Sequence, residues 1–344
     1  MTSIKDIAAK AKVSIGTIDR VLHNRGRVSE ETRNRVQRIV LQLGYRPNIH
    51  ARNLSLDKVY RFAVIMPRFT QDSEYWRFPA KGIDKACREL EMYKVSSNYF
   101  LFDRYSGASF GRAFREALKS KPDGLLIAPV LSRKAEELIP TIPQGLPYVF
   151  FDCTIPGTDC LTFIGQDPFQ SGLLAASLLQ SVTGREGNIA VVKVMPDDFH
   201  IKERIRGFFT GIEDSKSLTV RLFEVDSHLG EAAFADVVGR IVKELAPLKG
   251  IFVSNAWTHS IARSVRALST AKGVTIIGYD LVPKNLQYLE QGLIGFLISQ
   301  CPSTQGYEGI YCLYEHVVLR QKVKHTIMVP VDILTKNNVK YYQG

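Results

Sequence analysis

The chain opens with SIKDIAAKAKVSIGTIDRVL, residues 3–22, and this stretch decides the fold of the N-terminal region. Its apolar residues recur three and four positions apart in two short runs, which predicts two helices, Ile4–Ala11 and Ser14–Leu22. Ser3 begins a capping box and Ser14 is a favourable N-cap, so each helix has a defined start. Two short helices joined by a tight turn are typical of a helix-turn-helix, whose second helix enters the major groove of DNA.

A third helix is predicted after this pair. Ser29, with Glu30 and Glu31, marks its start, and Gly44 ends it as a C-cap residue. Between these points the apolar residues repeat at helical spacing, at Val36, Ile39, Val40 and Leu43.

Positive charge is concentrated in the same region. Residues 1–60 hold twelve Lys or Arg and five Asp or Glu, a net charge of +7, whereas the whole chain carries +11. Such a concentration favours phosphate contacts and counterion release. A solvated basic face on a helical bundle would give the same charge. The charge, the caps and the turn together favour DNA binding.

Six motifs run in order along the region: Ile4-Lys5-Asp6-Ile7-Ala8, Val13-Ser14, Thr17-Ile18, Arg20-Val21-Leu22, Gly26-Arg27-Val28-Ser29 and Leu43-Gly44-Tyr45-Arg46-Pro47-Asn48. Together they resemble the DNA-binding head of the LacI/GalR repressor family. Ala51-Arg52 and Leu54 resemble that family's hinge helix. The resemblance implies a repressor head over residues 1–47 and a hinge helix or linker over residues 48–59.

The resemblance also implies which residues meet DNA. Base-reading positions would be held by Ile15, Gly16 and Arg20. Contacts near phosphates, and contacts from the hinge, are implied for Ser14, Thr17, Arg27, Thr32, Asn48, Ala51 and Leu54. Leu54 would enter a minor-groove step, which exchanges base stacking for a kinked duplex.

Two residues of the second helix depart from the family's pattern. Asp19 stands where the family usually has a small hydroxyl residue, and a carboxylate there repels phosphate; it could instead accept from a cytosine amine or pair with Arg20 or Arg25. Gly16 offers no side chain, so direct readout would depend mostly on Arg20. The operator sequence cannot be read from this helix.

The remaining chain alternates short apolar runs with helical segments. The predicted strands are Arg61–Met66, Val95–Phe102, Gly124–Pro129, Tyr148–Phe151, Ile189–Val194, Val220–Val225, Gly250–Ser254 and Val274–Tyr279. Strands that alternate with helices of this length indicate βαβ units and parallel sheets. The predicted fold class is therefore α/β, with doubly wound parallel sheets in two lobes behind an all-α head.

The second module resembles the periplasmic-binding-protein fold, in which a ligand cleft lies between two lobes that close by hinge motion. We expect it to cover residues 60–344, with lobe 1 over about 60–163 and 300–327 and lobe 2 over about 164–299 and 328–344. Apolar stretches around Phe110–Leu118 and Leu222–Val225 are candidate dimer surfaces.

Polar residues follow several predicted strands, and ligands in open α/β sheets bind beyond the carboxyl ends of the strands. Asp152, Asn255 and Asp280 stand at such ends, and a carboxylate can accept from two adjacent sugar hydroxyls. By resemblance, Arg204 matches the family's effector-binding arginine, and Gln300 fits a crossover position. A strand-end aspartate is also a common helix cap or turn former.

Three aromatic residues, Phe69, Trp76 and Trp257, also follow strand ends and could stack on a sugar ring, although aromatic residues more often belong to the core. Four basic residues, Arg68, Lys193, Lys202 and Arg206, could favour an acidic or phosphorylated ligand; solvated surface positions explain them better. Ala256 replaces a second acid that the family frequently has there.

No catalytic or metal-binding motif stands in the sequence. The seven histidines form no HExxH motif and the five cysteines no CxxC motif, and there is no nucleophile elbow, Walker loop or GxGxxG. Asp198, His200 and Glu203 could form an acid–base cluster, but a loop leading into a helix explains them better. We expect no enzyme activity, no metal and no cofactor. The lack of a leader and the unpaired cysteines predict a cytosolic protein.

The sequence thus predicts a transcription regulator, most plainly a repressor, that binds a pseudo-palindromic operator as a homodimer and responds to a carbohydrate. Two alternatives stay open. One is a stand-alone sugar receptor without a specific operator, and the other is a carbohydrate-active enzyme that uses the strand-end acids.

Overall fold

The computed structural model describes residues 4–22, 26, 28–43, 58–196, 198–268 and 273–342. The chain divides into two compact units, Met1–Asp57 and Lys58–Gly344. Some predicted features lie outside the described residues: the capping serine Ser3, the C-cap Gly44, the phosphate contact Arg27, and the hinge helix with Asn48, Ala51 and Leu54.

The first unit contains three helices among its described residues: α1 (Ile4–Ala11), α2 (Ile15–Leu22) and α3 (Glu30–Gln42). Ser14 caps α2, because its hydroxyl accepts from the Thr17 backbone N–H at 3.2 Å. Ser29 caps α3 in the same way. The three helices enclose a small apolar core made of Ile7, Ala8, Ala11, Ile18, Val21, Val36 and Ile39.

The second unit contains the strands and the remaining helices. The strands are β1 (Tyr60–Pro67), β2 (Val95–Phe102), β3 (Gly124–Ile127), β4 (Tyr148–Phe151), β5 (Thr162–Gly165), β6 (Gly187–Met195), β7 (Leu218–Asp226), β8 (Leu248–Val253), β9 (Thr275–Tyr279), β10 (Phe296–Ser299), β11 (Thr326–Met328) and β12 (Asp332–Leu334). The helices are α4 (Arg77–Glu89), α5 (Gly107–Lys119), α6 (Ser132–Leu138), α7 (Pro168–Thr183), α8 (Phe199–Ile212), α9 (Glu231–Glu244), α10 (Thr258–Arg266), α11 (Pro283–Glu290) and α12 (Pro302–Leu313).

These strands form two six-stranded sheets, in the orders β11-β5-β4-β3-β1-β2 and β12-β10-β9-β8-β6-β7. Each of the eight predicted strands lies in one of them, and the predicted α/β class with two sheets is confirmed. The short strands β5, β10, β11 and β12 were not predicted.

One edge of the second sheet departs from the predicted parallel arrangement. β12 is antiparallel to β10, with Asp332 opposite Ser299. The chain crosses from β11 and enters beside the end of β10, so it can only run back along that strand. The other strand pairs among the described residues are parallel, as predicted, and this edge is the exception.

Close helix packing fixes the helix that carries Arg204. A Cβ added at Gly172 of α7 would lie 2.0 Å from the Arg204 carbonyl oxygen, and one added at Gly207 of α8 would lie 2.1 Å from the Phe169 carbonyl oxygen. Glycine is required at both positions because the two backbones approach so closely. The position of α8 against the second sheet is therefore set by α7.

The predicted dimer surface at Phe110–Leu118 does not expose its large apolar residues. Phe110 and Phe114 are fully buried in α5, where their rings contact each other edge to face. Their helical spacing reflects packing against the sheet. In the other stretch, Leu222 is 44% exposed while Phe223 and Val225 are buried.

Candidate functional sites

Two aspartates occupy equivalent places in the two lobes. Asp152 follows β4 of the first sheet and Asp280 follows β9 of the second, and both have a positive φ, 69° and 70°. The left-handed backbone turns the chain sharply where each strand ends, a conformation that aspartate tolerates better than most residues. Both side chains are buried. The strand ends therefore direct two carboxyl groups into the interior between the lobes.

A hydrogen-bonded network joins Asp280 to Arg204 through Gln300. The Gln300 amide nitrogen donates to both carboxylate oxygens of Asp280, at 2.9 and 3.0 Å. The Gln300 amide oxygen accepts from Arg204 Nη2 at 2.8 Å. Gln300 follows β10, where the chain returns to lobe 1. This hinge residue therefore connects the Asp280 carboxyl group and the Arg204 guanidinium group.

Arg204 itself is deeply buried, with a relative exposure of 1%. Its Nη1 donates to the Ser254 carbonyl oxygen at 2.5 Å, and its guanidinium carbon lies 3.5 Å from the centroid of the Tyr279 ring. Its Nε is buried and has no hydrogen-bond partner among the described residues. A buried donor without a partner costs free energy, and a bound acceptor would remove that cost.

Tyr75 reaches Asp152 from the loop after β1. Its hydroxyl donates to Asp152 Oδ1 at 2.5 Å, and the ring is buried. The preceding turn contains Asp72, Ser73 and Glu74, all with positive φ between 49° and 67°. Non-glycine residues in this conformation carry backbone strain. The strained turn thus places a protein hydroxyl on the buried carboxylate of Asp152.

An ion pair links the two lobes. Arg104, after β2 of the first sheet, donates to Asp198 Oδ2 at 2.7 Å, and Asp198 is the N-cap of α8 in the second lobe. Arg104 Nε lies 3.3 Å from Asp72. Burial opposes ionisation of Asp198, but His200 and Arg104 lower the pKa of its carboxyl to about 2. Asp198 is therefore a buried carboxylate held by a charge from the opposite lobe.

At the two strand-end acids, burial outweighs the neighbouring charges and hydrogen bonds, so the pKa is raised rather than lowered. Burial raises the pKa of Asp280 to about 7, against the hydrogen bond from Gln300 and the charge of Arg204. It also raises the pKa of Asp152. Both carboxyl groups are held where ionisation is unfavourable, a condition that is common at functional sites.

Some of the predicted effector residues join this network or lie beside it, and others do not. The structure brings together Asp152, Arg204, Asp280 and Gln300. Trp76 lies beside them, buried, with its indole N–H donating to Asp72 at 2.8 Å and its ring edge-to-face with Tyr75 and Phe151.

Three other predicted effector residues are engaged elsewhere. Asn255 Oδ1 accepts from the Trp257 backbone N–H at 3.2 Å, which is a turn-forming role. Trp257 is stacked between Phe234 and His259, with its indole N–H buried and without a partner among the described residues. Phe69 contacts Tyr99 edge to face.

Sequence reasoning did not select Tyr75, Arg104 or Gln305 as site residues. Gln305 accepts from the Asp152 backbone N–H at 2.7 Å and donates to the Gln300 carbonyl oxygen, so it ties the two predicted residues together. Tyr75 adjoins Trp76, which was the available signal. Of the basic residues considered for an acidic ligand, Arg68, Lys193 and Arg206 pair with acids on the surface.

Two cavities adjoin this network or its neighbours. One, of about 90 Å³, is lined by Tyr75, Asp280, Cys301 and Tyr342 among others. The other, of about 410 Å³, is lined by Asp152, Cys153, Phe169 and His200 among others. The larger space is sufficient for several water molecules or part of a small ligand.

The helix α2 presents a different kind of surface. Ile15 is 50% exposed, and Gly16 and Arg20 are exposed as well, whereas Ile18 and Val21 face the core. A Cβ added at Gly16 would meet nothing closer than Ser14 Oγ at 3.8 Å. The residues predicted to read bases therefore share the outward face of one helix, and Thr17 and Thr32 are half-buried beside the caps.

Family models match both units of the chain. Residues 3–48 match bacterial regulatory proteins of the lacI family, and residues 62–321 match a periplasmic binding protein domain. The chain belongs to the periplasmic binding protein domain family, and its head is a lacI-family domain of bacterial regulatory proteins. The resemblance inferred from the head motifs is confirmed.

Two curated relatives are regulators. The transcriptional regulator DegA of Bacillus subtilis is 28% identical over 301 residues, which cover 81% of each chain. The transcriptional repressor PurR of Escherichia coli O139:H28 is 22% identical over 348 residues, which cover 98% of this chain and 97% of that one. The chain is thus similar to DNA-binding transcriptional regulators over nearly its whole length.

Solved structures share the sensor fold. A lacI-type regulator from Bacteroides fragilis, described as putative, superposes with a TM-score of 0.76 at 26% identity and covers 83% of this chain and 100% of its own. The glucose-galactose binding protein GanP of Geobacillus stearothermophilus gives a TM-score of 0.72 at 22% identity, covering 82% of this chain and 99% of its own. None of the helices in the described residues has the length and apolar character to cross a membrane.

Proposed function

We propose that this lacI-family regulator binds a pseudo-palindromic operator as a homodimer, and that a hydroxyl-rich effector of the carbohydrate class controls its affinity for DNA. The observation that carries the effector half is the buried network of Asp152, Arg204, Asp280 and Gln300, which draws on both lobes and on the hinge strand β10. Carboxylates accept from adjacent hydroxyls and a guanidinium donates to them.

Tyr75 occupies a position in this network that suits an effector hydroxyl. Its O–H donates to Asp152 as a sugar hydroxyl would. The unpartnered Nε of Arg204 is a second group that an effector oxygen would satisfy. An effector would replace the Tyr75 contact, relieve the strained turn at Asp72–Glu74, and so change how the lobes close. The similarity of the sensor to a glucose-galactose binding protein supports this class of effector.

The head supplies the DNA half. Ile15, Gly16 and Arg20 face outward on α2, the helix that enters the major groove in a helix-turn-helix. Ser14, Thr17 and Thr32 lie at the caps of α2 and α3, where side chains near backbone phosphates are expected. Arg27, Asn48, Ala51 and Leu54 are proposed contacts on the strength of the family motifs. Two such heads in a symmetric dimer would read two half-sites.

The effector proposal is tested by thermal unfolding of the full chain against neutral sugars, sugar acids, amino sugars and sugar phosphates. A ligand at about 100 times its dissociation constant adds about 2.7 kcal/mol to the free energy of unfolding, which raises the midpoint. Asp280→Asn should abolish the rise, and Asp214→Asn, at an exposed position, should preserve it. A panel without any rise, or a rise that survives Asp280→Asn, would overturn the assignment.

The DNA proposal is tested separately by selecting binding sites from random duplexes with the full chain. Enrichment of a two-fold symmetric sequence whose affinity falls steeply with salt is expected, because phosphate contacts release counterions. Binding that shows no sequence preference would leave a receptor with a non-specific basic head instead.

A further inference from the structure

A second cluster lies beside the effector network and is not used by it. Cys153 follows Asp152 at the end of β4, in the first lobe, while Asp198 and His200 stand at the start of α8, in the second. The Cys153 sulfur, an Asp198 carboxylate oxygen and a ring nitrogen of His200 all lie within 4.8 Å of one another. The three residues are 1%, 1% and 9% exposed. Three side chains of different chemistry thus converge across the lobe boundary.

The His200 ring nitrogen Nδ1 is the observation that sets this cluster apart. It lies 2.9 Å from Asp198 Oδ1, an ion-pair distance, and it is buried. A ring nitrogen and a carboxylate oxygen this close together are positioned to serve as neighbouring ligands of one cation. The lone pair of a neutral imidazole nitrogen in this position would bind the metal ion.

The other two groups are also suited to a cation. Arg104 binds Asp198 through Oδ2, so Oδ1 stays on the side of His200. The Cys153 thiol donates a long hydrogen bond, 3.6 Å, to the Thr154 carbonyl oxygen.

We propose that Cys153, Asp198 and His200 form an inter-lobe site for a zinc-like divalent metal ion. Thiolate, imidazole and carboxylate together favour Zn²⁺ or its spectroscopic substitutes over Mg²⁺ and Ca²⁺. Bond lengths of about 2.0–2.3 Å place tetrahedral ligand atoms about 3.2–3.8 Å apart. The 2.9 Å between His200 Nδ1 and Asp198 Oδ1 is slightly shorter than this spacing, and all three ligand atoms lie within 4.8 Å of one another, so small side-chain movements bring them to that geometry.

The fourth coordination position is open to solvent or ligand. Cys153, His200 and Asp152 all line the cavity of about 410 Å³. Three protein ligands with an accessible fourth position are typical of metal sites that exchange a water or a small ligand. An effector oxygen in this cavity could complete the coordination, so the metal and the effector would bind in adjoining space.

The site has a consequence for regulation, which rests on the proposed function. Because Cys153 belongs to one lobe and Asp198 and His200 to the other, the metal ion binds only the closed arrangement with all three ligands. A ligand shifts an equilibrium by its differential affinity for the two states. Metal binding therefore stabilises the closed sensor and acts as an effector, or together with one.

The test is a titration of the full, reduced chain with Co²⁺. One equivalent should produce tetrahedral visible bands and a sulfur-to-metal charge-transfer band, both removed by Zn²⁺. Cys153→Ser should abolish the charge-transfer band. Cys312→Ser changes another buried cysteine, in α12, and should preserve it. The readout involves neither DNA nor sugar, so its failure is distinguishable from failure of the proposed function.

Circular dichroism of the metal-free variants checks that each one is folded. His200→Asn provides a second test. That variant keeps the shape of the site and should weaken Co²⁺ binding at least tenfold. In the wild type, Zn²⁺ should raise the unfolding midpoint, and it should not do so in His200→Asn. Absence of a charge-transfer band in the folded wild type, its persistence in Cys153→Ser, or its loss in folded Cys312→Ser would each overturn the proposal.

Discussion

The head and the sensor present their functional residues in opposite ways. Ile15, Gly16 and Arg20 lie on the exposed face of one helix, within six residues of each other. Asp152, Arg204 and Asp280 are buried and come from segments more than fifty residues apart. A residue on the outward face of α2 contributes little to folding, whereas each residue of the proposed effector network is hydrogen-bonded to other buried groups. The same type of substitution should therefore have different effects in the two regions.

The largest effect is expected at Arg204. Arg204→Ala leaves the Gln300 amide oxygen and the Ser254 carbonyl oxygen buried without their donor. Each such group costs about 1–3 kcal/mol, so the free energy of unfolding should fall by several kcal/mol. Chemical denaturation of the full chain measures this change.

Arg206 provides the matched control, because it lies on the same helix with its side chain 60% exposed and paired with Glu203. Solvent and salt screen an exposed ion pair, so Arg206→Ala should change stability little. Equal losses in the two variants would mean that burial does not separate them.

Arg20 tests the opposite region. Arg20→Ala should leave the unfolding midpoint unchanged, because the side chain is exposed, and should relax specificity at one base position by about 1–3 kcal/mol. Competition binding against single-base variants of a selected operator measures the change. Arg38→Ala, at an exposed position of α3, is the control for loss of charge. A uniform loss over all sequences would identify Arg20 as a phosphate contact.

A pH series distinguishes the sensor from the head in a third way. The folded pKa of Asp280 is about 7 because of burial, whereas its ordinary value is 3.8. The folded state thus binds this proton more tightly, so stability from this group is full below the unfolded pKa and is lost as the pH rises through about 7. The wild type should lose more stability than Asp280→Asn between these two pH values. Parallel curves for the two proteins would contradict the raised pKa.

The sequence predicted the head more fully than the sensor, for a physical reason. Caps such as Ser14 and Ser29 and the buried face with Ile18 depend on neighbours three or four residues away, and such spacings are legible in a sequence. Asp152 and Asp280 could be selected because strand ends mark them.

The partners of these aspartates could not be predicted. Tyr75 reaches Asp152 across 77 positions, and Arg104 reaches Asp198 across 94. Such contacts depend on how two sheets and their loops meet. Cys153 and His200 show no metal-ligand spacing, because the two lobes bring them together.

The smallest effect is expected for Gly16→Ala. This substitution changes the helix propensity of α2 without changing side-chain packing in the head. A Cβ at this position would meet only Ser14 Oγ, at 3.8 Å, so alanine adds no clash within the head. Alanine is favoured over glycine inside a helix by up to about 1 kcal/mol, and Gly16→Ala should therefore stabilise the head slightly. Operator affinity should fall at the same time if the bare backbone of Gly16 approaches the bases. A more stable head with unchanged affinity would show that this turn of α2 stands away from the groove, and the readout would then depend on Arg20 and Ile15.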